Sequence, residues 1–272
     1  MKKIWMWCGL LWACCLADPF TAGAQEVNVT LLHTNDFHSA LEKRGRLLGT
    51  LERLRSQADH SLLLDAGDMF EGDVPQVGES EGQVIVEMMN QAGYDGMVFG
   101  DNAYAALNLE QLRACMQGFA FPIVCANLVN KSNGDPITIP YWIHHRGGAS
   151  IAVLGIYDEE SLSDQGLIEI NPRPVVDFYL HFLKDKVDCV ILLTHQGLEK
   201  DRELAQRFPQ IDVIVGGSSE DVLMEPEQVG ETLIVQAGGR GQYVGVLRMT
   251  IDTQANTIRQ YEGFLEVVES NR

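Results

Sequence analysis

Five short apolar runs, each ending in a cluster of polar residues, constrain this chain more than any other feature of it. Residues 27–32, 62–64, 97–99, 189–193 and 213–215 are bounded by glycine or polar side chains, the mark of strands buried on both faces. The first run leads into Asn35, Asp36 and His38, and the second into Asp65, Gly67 and Asp68. The third ends at Gly100, Asp101 and Asn102, the fourth at His195 and Gly197, the fifth at Gly216, Gly217, Ser218 and Glu220. Ligands of open α/β sheets lie beyond the carboxyl ends of the strands. Strands that deliver carboxylates and imidazoles to one such edge make a cation site. The glycines at these ends are expected to let the backbone turn sharply, so that the side chains converge. Taken singly each signal has a plainer reading: an Asp after a strand is commonly a helix cap, and a lone histidine is commonly satisfied within a core. The ordered set carries the inference.

Between the runs, apolar residues fall at helical spacing: Leu47, Leu48, Leu51 and Leu54, then Val84, Ile85, Met88, Met89 and Ala92, then Val175, Val176, Tyr179, Leu180 and Leu183. Strand–helix alternation predicts a largely parallel sheet covered by helices. Residues 139–145 with 150–156, then 232–235, 243–251 and 257–267, read as hairpins and a β-rich end. The expected class is α/β, with two mixed sheets packed together and flanked by helices. In the first hairpin Tyr141 and Trp142 read as core or sheet surface, and His144 and His145 as exposed.

The start of the chain reads as an export signal over residues 1–24: Lys2 and Lys3, an apolar run over 4–17, and the small residues Ala22, Gly23 and Ala24. That run is shorter than the roughly 20 residues a membrane span needs, so no transmembrane anchor is expected. A periplasmic or secreted location follows. Acylation of Cys14 is the less favoured alternative, because bulky Trp12 precedes it. A formal net charge of −18 argues against a nucleic-acid polymer as partner. A small phosphate ester is not excluded, because a bound cation reverses the local field. Cys115, Cys125 and Cys189 have no zinc-finger spacing. A Cys115–Cys125 bridge is conceivable, and burial as small apolar residues is the favoured reading.

The order of motifs resembles the metallophosphoesterase domain of the 5′-nucleotidase family, over nearly all of residues 26–266. That family's motifs are D-x-H, G-D, G-N-H-E or G-N-H-D, a histidine in a THxG-like segment, and G-G-H-x-H. Here VTLLHTNDFH matches the first and LLLDAGD the second. AGYDGMVFG resembles the approach to the third, FPIVCANL the segment after it, and VILLTHQGL the fourth; VQAGGRGQYVGVL resembles the stretch after the last histidine. The resemblance implies a domain over residues 25–272 with divalent metal, one or two ions, as cofactor. It implies a pair of cations held about 3.5–4 Å apart by a shared carboxylate, which polarise phosphoryl oxygens and activate water. Carried over by position, Asp36 and His38 bind the first ion, Asp68 bridges, and His195 binds the second.

The departures limit how far this goes. In the simplest register Asp101 replaces a metal-binding amide, and Asn102 replaces the histidine that assists the leaving group. With one inserted residue, Asn102 is instead the ligand. Ser218 and Glu220 stand where the family has its last two histidines. The first ion would then see Asp36, His38, Asp68 and Glu220, and the second Asp68, Asp101 and His195. Carboxylates in place of imidazoles shift preference from Zn toward Mn, Mg or Ca. Loss of a general acid typically lowers a rate by about 10²–10⁴. The family's C-terminal nucleotide-binding domain has no counterpart in these residues, so nothing here reads as a platform for a base.

Three functions therefore compete. One is an exported, metal-dependent phosphoesterase with a weakened site, acting on a small phosphomonoester such as a nucleotide. Another is a non-catalytic binding module that pairs with a separate chain carrying the nucleotide-binding domain. In the third, the polar clusters serve only as caps and for solubility.

Overall fold

The computed structural model describes residues 25–71, 81–158 and 166–268. The expected export signal, with Cys14, lies outside these residues.

In chain order the first strands are β1 (Glu26–Thr34), β2 (Leu62–Asp65), β3 (Gly96–Met97), β4 (Leu128–Asn130), β5 (Tyr141–Arg146) and β6 (Ala149–Tyr157). Then follow β7 (Leu167–Glu169), β8 (Cys189–His195), β9 (Val213–Gly217), β10 (Glu227–Val229), β11 (Thr232–Val235), β12 (Tyr243–Asp252) and β13 (Thr257–Val267). The helices are α1 (Arg44–Ser56), α2 (Glu81–Ala92), α3 (Asp101–Ala106), α4 (Leu109–Gln117), α5 (Pro172–Leu183) and α6 (Leu198–Arg207).

One large sheet has the order β13-β12-β1-β2-β3 and the other β10-β11-β9-β8-β6-β5, while β4 and β7 pair as a separate two-stranded antiparallel sheet. Both large sheets are mixed. β1, β2 and β3 run parallel while β12 and β13 are antiparallel additions. In the second sheet β6, β8, β9 and β11 run parallel, with β5 and β10 hairpinned onto its edges. The expected hairpins are therefore present, and they extend the parallel sheets. The α/β class with two mixed, helix-flanked sheets is the observed one.

Strand alternation sorts the second sheet's side chains between two cores. Ile151, Val153, Ile191, Leu193, Val213 and Val215 face the first sheet and join its core with Leu31, Leu63 and Leu247. Their neighbours Ala152, Leu154, Leu192 and Ile214 face the other way, onto Val176 and Leu180 of α5 and Leu204 of α6. Those strands are apolar on both faces because each face is covered. The parallel strands of both sheets lead into the same group of polar loops, and the sheet-to-sheet packing sets those loops facing one another.

Two expectations need correction. His144 is buried, not exposed, and burial pushes its imidazole down to about 4. It lies on the strand face that packs inward, whereas His145 points out. The third strand stops at Met97 rather than Phe99, because only Val98 adds a further bond, to Asp65 O, before α3 begins at Asp101. Cys115, Cys125 and Cys189 are free and buried, so the conceivable Cys115–Cys125 bridge is not formed.

Candidate metal centre

The loop after β1 lies alongside the loop after β2: the backbone N–H groups of Asp36, His38 and Ser39 donate to the carbonyls of Gly67, Asp68 and Met69 at 2.9, 2.9 and 3.0 Å. This pairing continues the β1–β2 ladder past the strand ends and sets Asp36 beside Asp68. From the second sheet, β8 ends in His195 and β9 in Gly217, directly paired in register. Asp36, Asp68 and His195 each offer a ligand atom, and those atoms lie within 4.8 Å of one another. All three side chains are buried, at 1%, 5% and 0% exposure.

The other expected residues stand around this triad. His38 Nε2 is 3.9 Å from Asp36 Oδ1 and 3.3 Å from Glu220 Oε1. His195 Nε2 is 3.8 Å from Asp68 Oδ2 and 3.4 Å from Asp101 Oδ1. Thus Asp36, His38 and Glu220 form one half, and Asp68, Asp101 and His195 the other. Asn102 belongs to neither ring of carboxylate–imidazole pairs. Its backbone N–H donates to Asp68 Oδ1 at 3.2 Å, and its side-chain amide to Asp68 Oδ2 at 3.0 Å and Phe70 O at 3.2 Å. Ser218 contributes a backbone N–H, 3.1 Å from both carboxylate oxygens of Asp36.

The glycine expectation is only partly met. Gly67 and Gly197 have φ of 100° and 84°, but the turns that carry functional side chains are made by non-glycine residues. Asp36, His38, Asp68, Ser218 and Glu220 have φ of 52°, 49°, 53°, 78° and 51°. Such conformations are sparsely populated, and they persist where the surrounding structure over-determines them, commonly at ligand sites. Gly100 is needed for close approach instead. A Cβ there would overlap the Asp68 carboxylate and backbone nitrogen.

His195 bears on whether a metal fits. Its Nδ1 faces the Ala66 carbonyl at 2.8 Å, and a carbonyl only accepts, so Nδ1 carries a proton and donates. That leaves Nε2, buried and without a hydrogen bond, aimed at the carboxylates. A backbone carbonyl that fixes the ring through one nitrogen is the usual support of a ligating histidine. Among the described residues, the ion pairs of Asp36, Asp68, Asp101 and Glu220 are with His38 and His195, not with Lys or Arg. Carboxylates gathered and partly desolvated in this way call for a cation.

Protons fill that demand in the metal-free protein. Burial raises Asp36, and it pushes Asp68 up to about 8 against the pull of His195, with Asp101 adding to the rise. Burial alone would drive the proton off His195. Asp101, Asp68 and Asp36, helped by the Ala66 carbonyl, outweigh it and hold the imidazole up at about 9. The His195 imidazole beside it, 3.4 Å away, together with Asp68, holds Asp101 well below the usual carboxylate range.

Several supporting residues lie within the sequence motifs, where sequence alone gives them no role. Asn35 donates to Asp36 Oδ2 at 2.7 Å and to Gly238 O at 2.9 Å, so it braces the first carboxylate. Asp65, fully buried, accepts from Thr34 Oγ1 and Gly67 N–H, and burial raises it to about 7. Arg240 donates its backbone N–H to Asp36 O at 2.7 Å. Their place inside the motif stretches is the signal, and only the folded contacts assign them a role.

Two packed mixed sheets, with a carboxylate–imidazole group at the carboxyl ends of their parallel strands, make this an α/β protein with a candidate metal site. The calcineurin-like phosphoesterase family model matches residues 29–217, and the chain belongs to that family. It is 28% identical over 241 residues to the uncharacterized metallophosphoesterase YunD of Bacillus subtilis, spanning 84% of this chain and 51% of that protein. It is 26% identical over 287 residues to the 5′-nucleotidase of Rattus norvegicus, spanning 89% and 50%. Among solved structures, the 5′-nucleotidase precursor from Thermus thermophilus superposes with a TM-score of 0.76 at 24% identity, over 89% of this chain and 54% of that one. The calcineurin-like phosphoesterase YfkN from Bacillus subtilis gives 0.73 at 18% identity, over 90% and 92%. At such identity the structures speak for the fold alone. The chain spans about half the length of the full-length 5′-nucleotidases it matches.

Proposed function

We propose that this protein hydrolyses a small phosphomonoester, such as a nucleotide, in a metal-dependent reaction, from a site weaker than that of the 5′-nucleotidases it resembles. The observation that carries this is His195: Nδ1 committed to Ala66, and Nε2 buried among Asp36, Asp68 and Asp101 without a hydrogen bond. Asp36, His38 and Glu220 would hold one divalent ion, and Asp68, Asp101 and His195 a second. When bound, such ions supply polarisation of the phosphoryl oxygens. Four carboxylates among six groups favour Mn²⁺, Mg²⁺ or Ca²⁺ over Zn²⁺.

The chain's own residues would act as follows. The Ala66 carbonyl orients the His195 ring, and Asn35 and the Ser218 N–H fix the Asp36 carboxylate. Asn102 clamps Asp68, and its amide has no titratable proton to give a leaving oxygen. Slow turnover follows from that absence. The reading is completed by an exported location, periplasmic or secreted, supported by the basic–apolar–small pattern of residues 1–24. Among the described residues no helix is long and apolar enough to cross a membrane.

The test is metal content per chain, followed by hydrolysis of nucleotides and an aryl phosphate with each of Mn²⁺, Mg²⁺, Ca²⁺ and Zn²⁺. Turnover no greater than that of His195→Ala would end the catalytic reading. A second reading is favoured by Asn102 and Ser218 standing where the family has histidines: a non-catalytic module that binds a cation and pairs with a separate chain bearing a nucleotide-binding domain. Bound metal without turnover, together with a co-purifying partner, would select it.

A further inference from the structure

We propose that Arg240 is the group that grips the substrate's phosphate at the mouth of this site; the proposal rests on the phosphomonoester reading above.

The argument begins with charge. Asp36, Asp68, Asp101 and Glu220 are carboxylates, and His38 and His195 are neutral when they bind metal. Two divalent ions would bring these six groups only to neutrality. In the family pattern, an amide and a histidine stand where this chain has Asp101 and Glu220, so the same two ions leave that site positive. A phosphate dianion arriving here lacks that attraction, and a cation must come from elsewhere in the protein.

Arg240 is placed to supply it. Its backbone N–H donates to Asp36 O at 2.7 Å, and a φ of 56° turns the chain at that point. The preceding Gly239 lies so close to Glu220 that a Cβ would overlap the Glu220 carboxylate. Lys43 Nζ donates to Arg240 O at 2.7 Å and ties down the loop. Arg240 is thus anchored between Asp36 and Glu220, two of the carboxylates that need compensation. Its guanidinium is half exposed, and Nη1 lies 3.3 Å from Glu71 Oε2. Glu71 is held in turn by its backbone N–H on Ser39 Oγ at 3.0 Å, next to His38. The arm therefore spans the rim formed by the loops after β1 and β2. Exposed pairs of this kind are weakly held. A guanidinium can exchange one carboxylate for a phosphate, which it meets with two parallel N–H donors.

The experiment is calorimetric binding of inorganic phosphate to the Mn²⁺-loaded protein, with metal content measured for each variant. Arg240→Asn removes the charge while tolerating the left-handed backbone. It should retain metal and bind phosphate about 10–100-fold more weakly. Arg240→Lys should recover part of that loss. Glu71→Gln, which frees the guanidinium, should bind phosphate at least as tightly as the parent. Arg240→Asn binding phosphate as the parent does would overturn the proposal. So would loss of metal in that variant, or an equal loss of phosphate binding in Glu71→Gln, since either makes the Arg240–Glu71 pair a structural strut. If the metal-loaded parent itself binds no phosphate, the phosphomonoester reading falls and this inference with it.

Discussion

Asn102 holds Asp68 from two directions, with its backbone N–H on Oδ1 at 3.2 Å and its side-chain amide on Oδ2 at 3.0 Å. The Asp68 carboxylate is therefore fixed by a residue that cannot transfer a proton. Asn102→His places a titratable group at that position. Hydrolysis of an aryl phosphate should rise by about 10²–10⁴-fold. Steady-state kinetics of the Mn²⁺-loaded variant checks this, and an unchanged kcat would mean that the leaving oxygen never sits near residue 102.

Protons and metal compete for the same atoms, so pH should move stability in opposite directions with and without the ion. In the metal-free protein Asp68 stands at about 8 and His195 at about 9, both above their ordinary values of 3.8 and 6.5. A folded-state value raised in this way gives stability that is present at low pH and lost as pH climbs toward the folded pKa. The metal-free protein should thus lose stability from about pH 4 upward through Asp68, and from about pH 6.5 through His195 as well, until about pH 9. The ion binds only the deprotonated groups, so its stabilisation grows over the same range. Scanning calorimetry should show a gap in Tm that widens with pH. At an ion concentration about one hundred times Kd the metal contributes about 2.7 kcal/mol, roughly 5–10 °C. A gap that narrows would place the ion elsewhere.

Gly100→Ala tests the close approach under α3. The added Cβ has no room beside the Asp68 carboxylate and backbone nitrogen. Chemical denaturation should show a loss of about 1–3 kcal/mol, and titration with Mn²⁺ should show weakened uptake. Full metal affinity in a destabilised Gly100→Ala would mean that Asp68 is not a ligand.

Ser218→His restores an imidazole at a position where the family pattern has one. Ser218 has φ of 78°, a conformation that histidine adopts more readily than most residues. The variant should raise metal content per chain, measured by elemental analysis, and shift preference toward Zn²⁺. No change in content would place the 218 side chain away from the ions.

Much of the architecture was legible because burial writes itself into local pattern. The run 189–193 is apolar at every position, and β8 is buried on both faces. Asp36, His38, Asp68, Asp101, His195 and Glu220 could be read as converging because each follows such a run. What stayed hidden depends on tertiary partners. His144 looks like any exposed hairpin residue until its neighbours cover it. Arg240 has no motif of its own, and its place comes from a backbone bond to Asp36, far away along the chain. The expectation that glycine would make the turns failed in part because polar residues with local hydrogen bonds also adopt positive φ.

The left-handed turns at Asp36, His38, Asp68, Ser218 and Glu220 have a consequence for anyone who engineers this molecule. Each is a place where glycine would relax the main chain, and a thermostability screen run without metal would reward that relaxation. Variants selected in that way would tolerate heat better and have lost the side chains that recruit an ion. Ion binding should therefore be part of the selection from its first round.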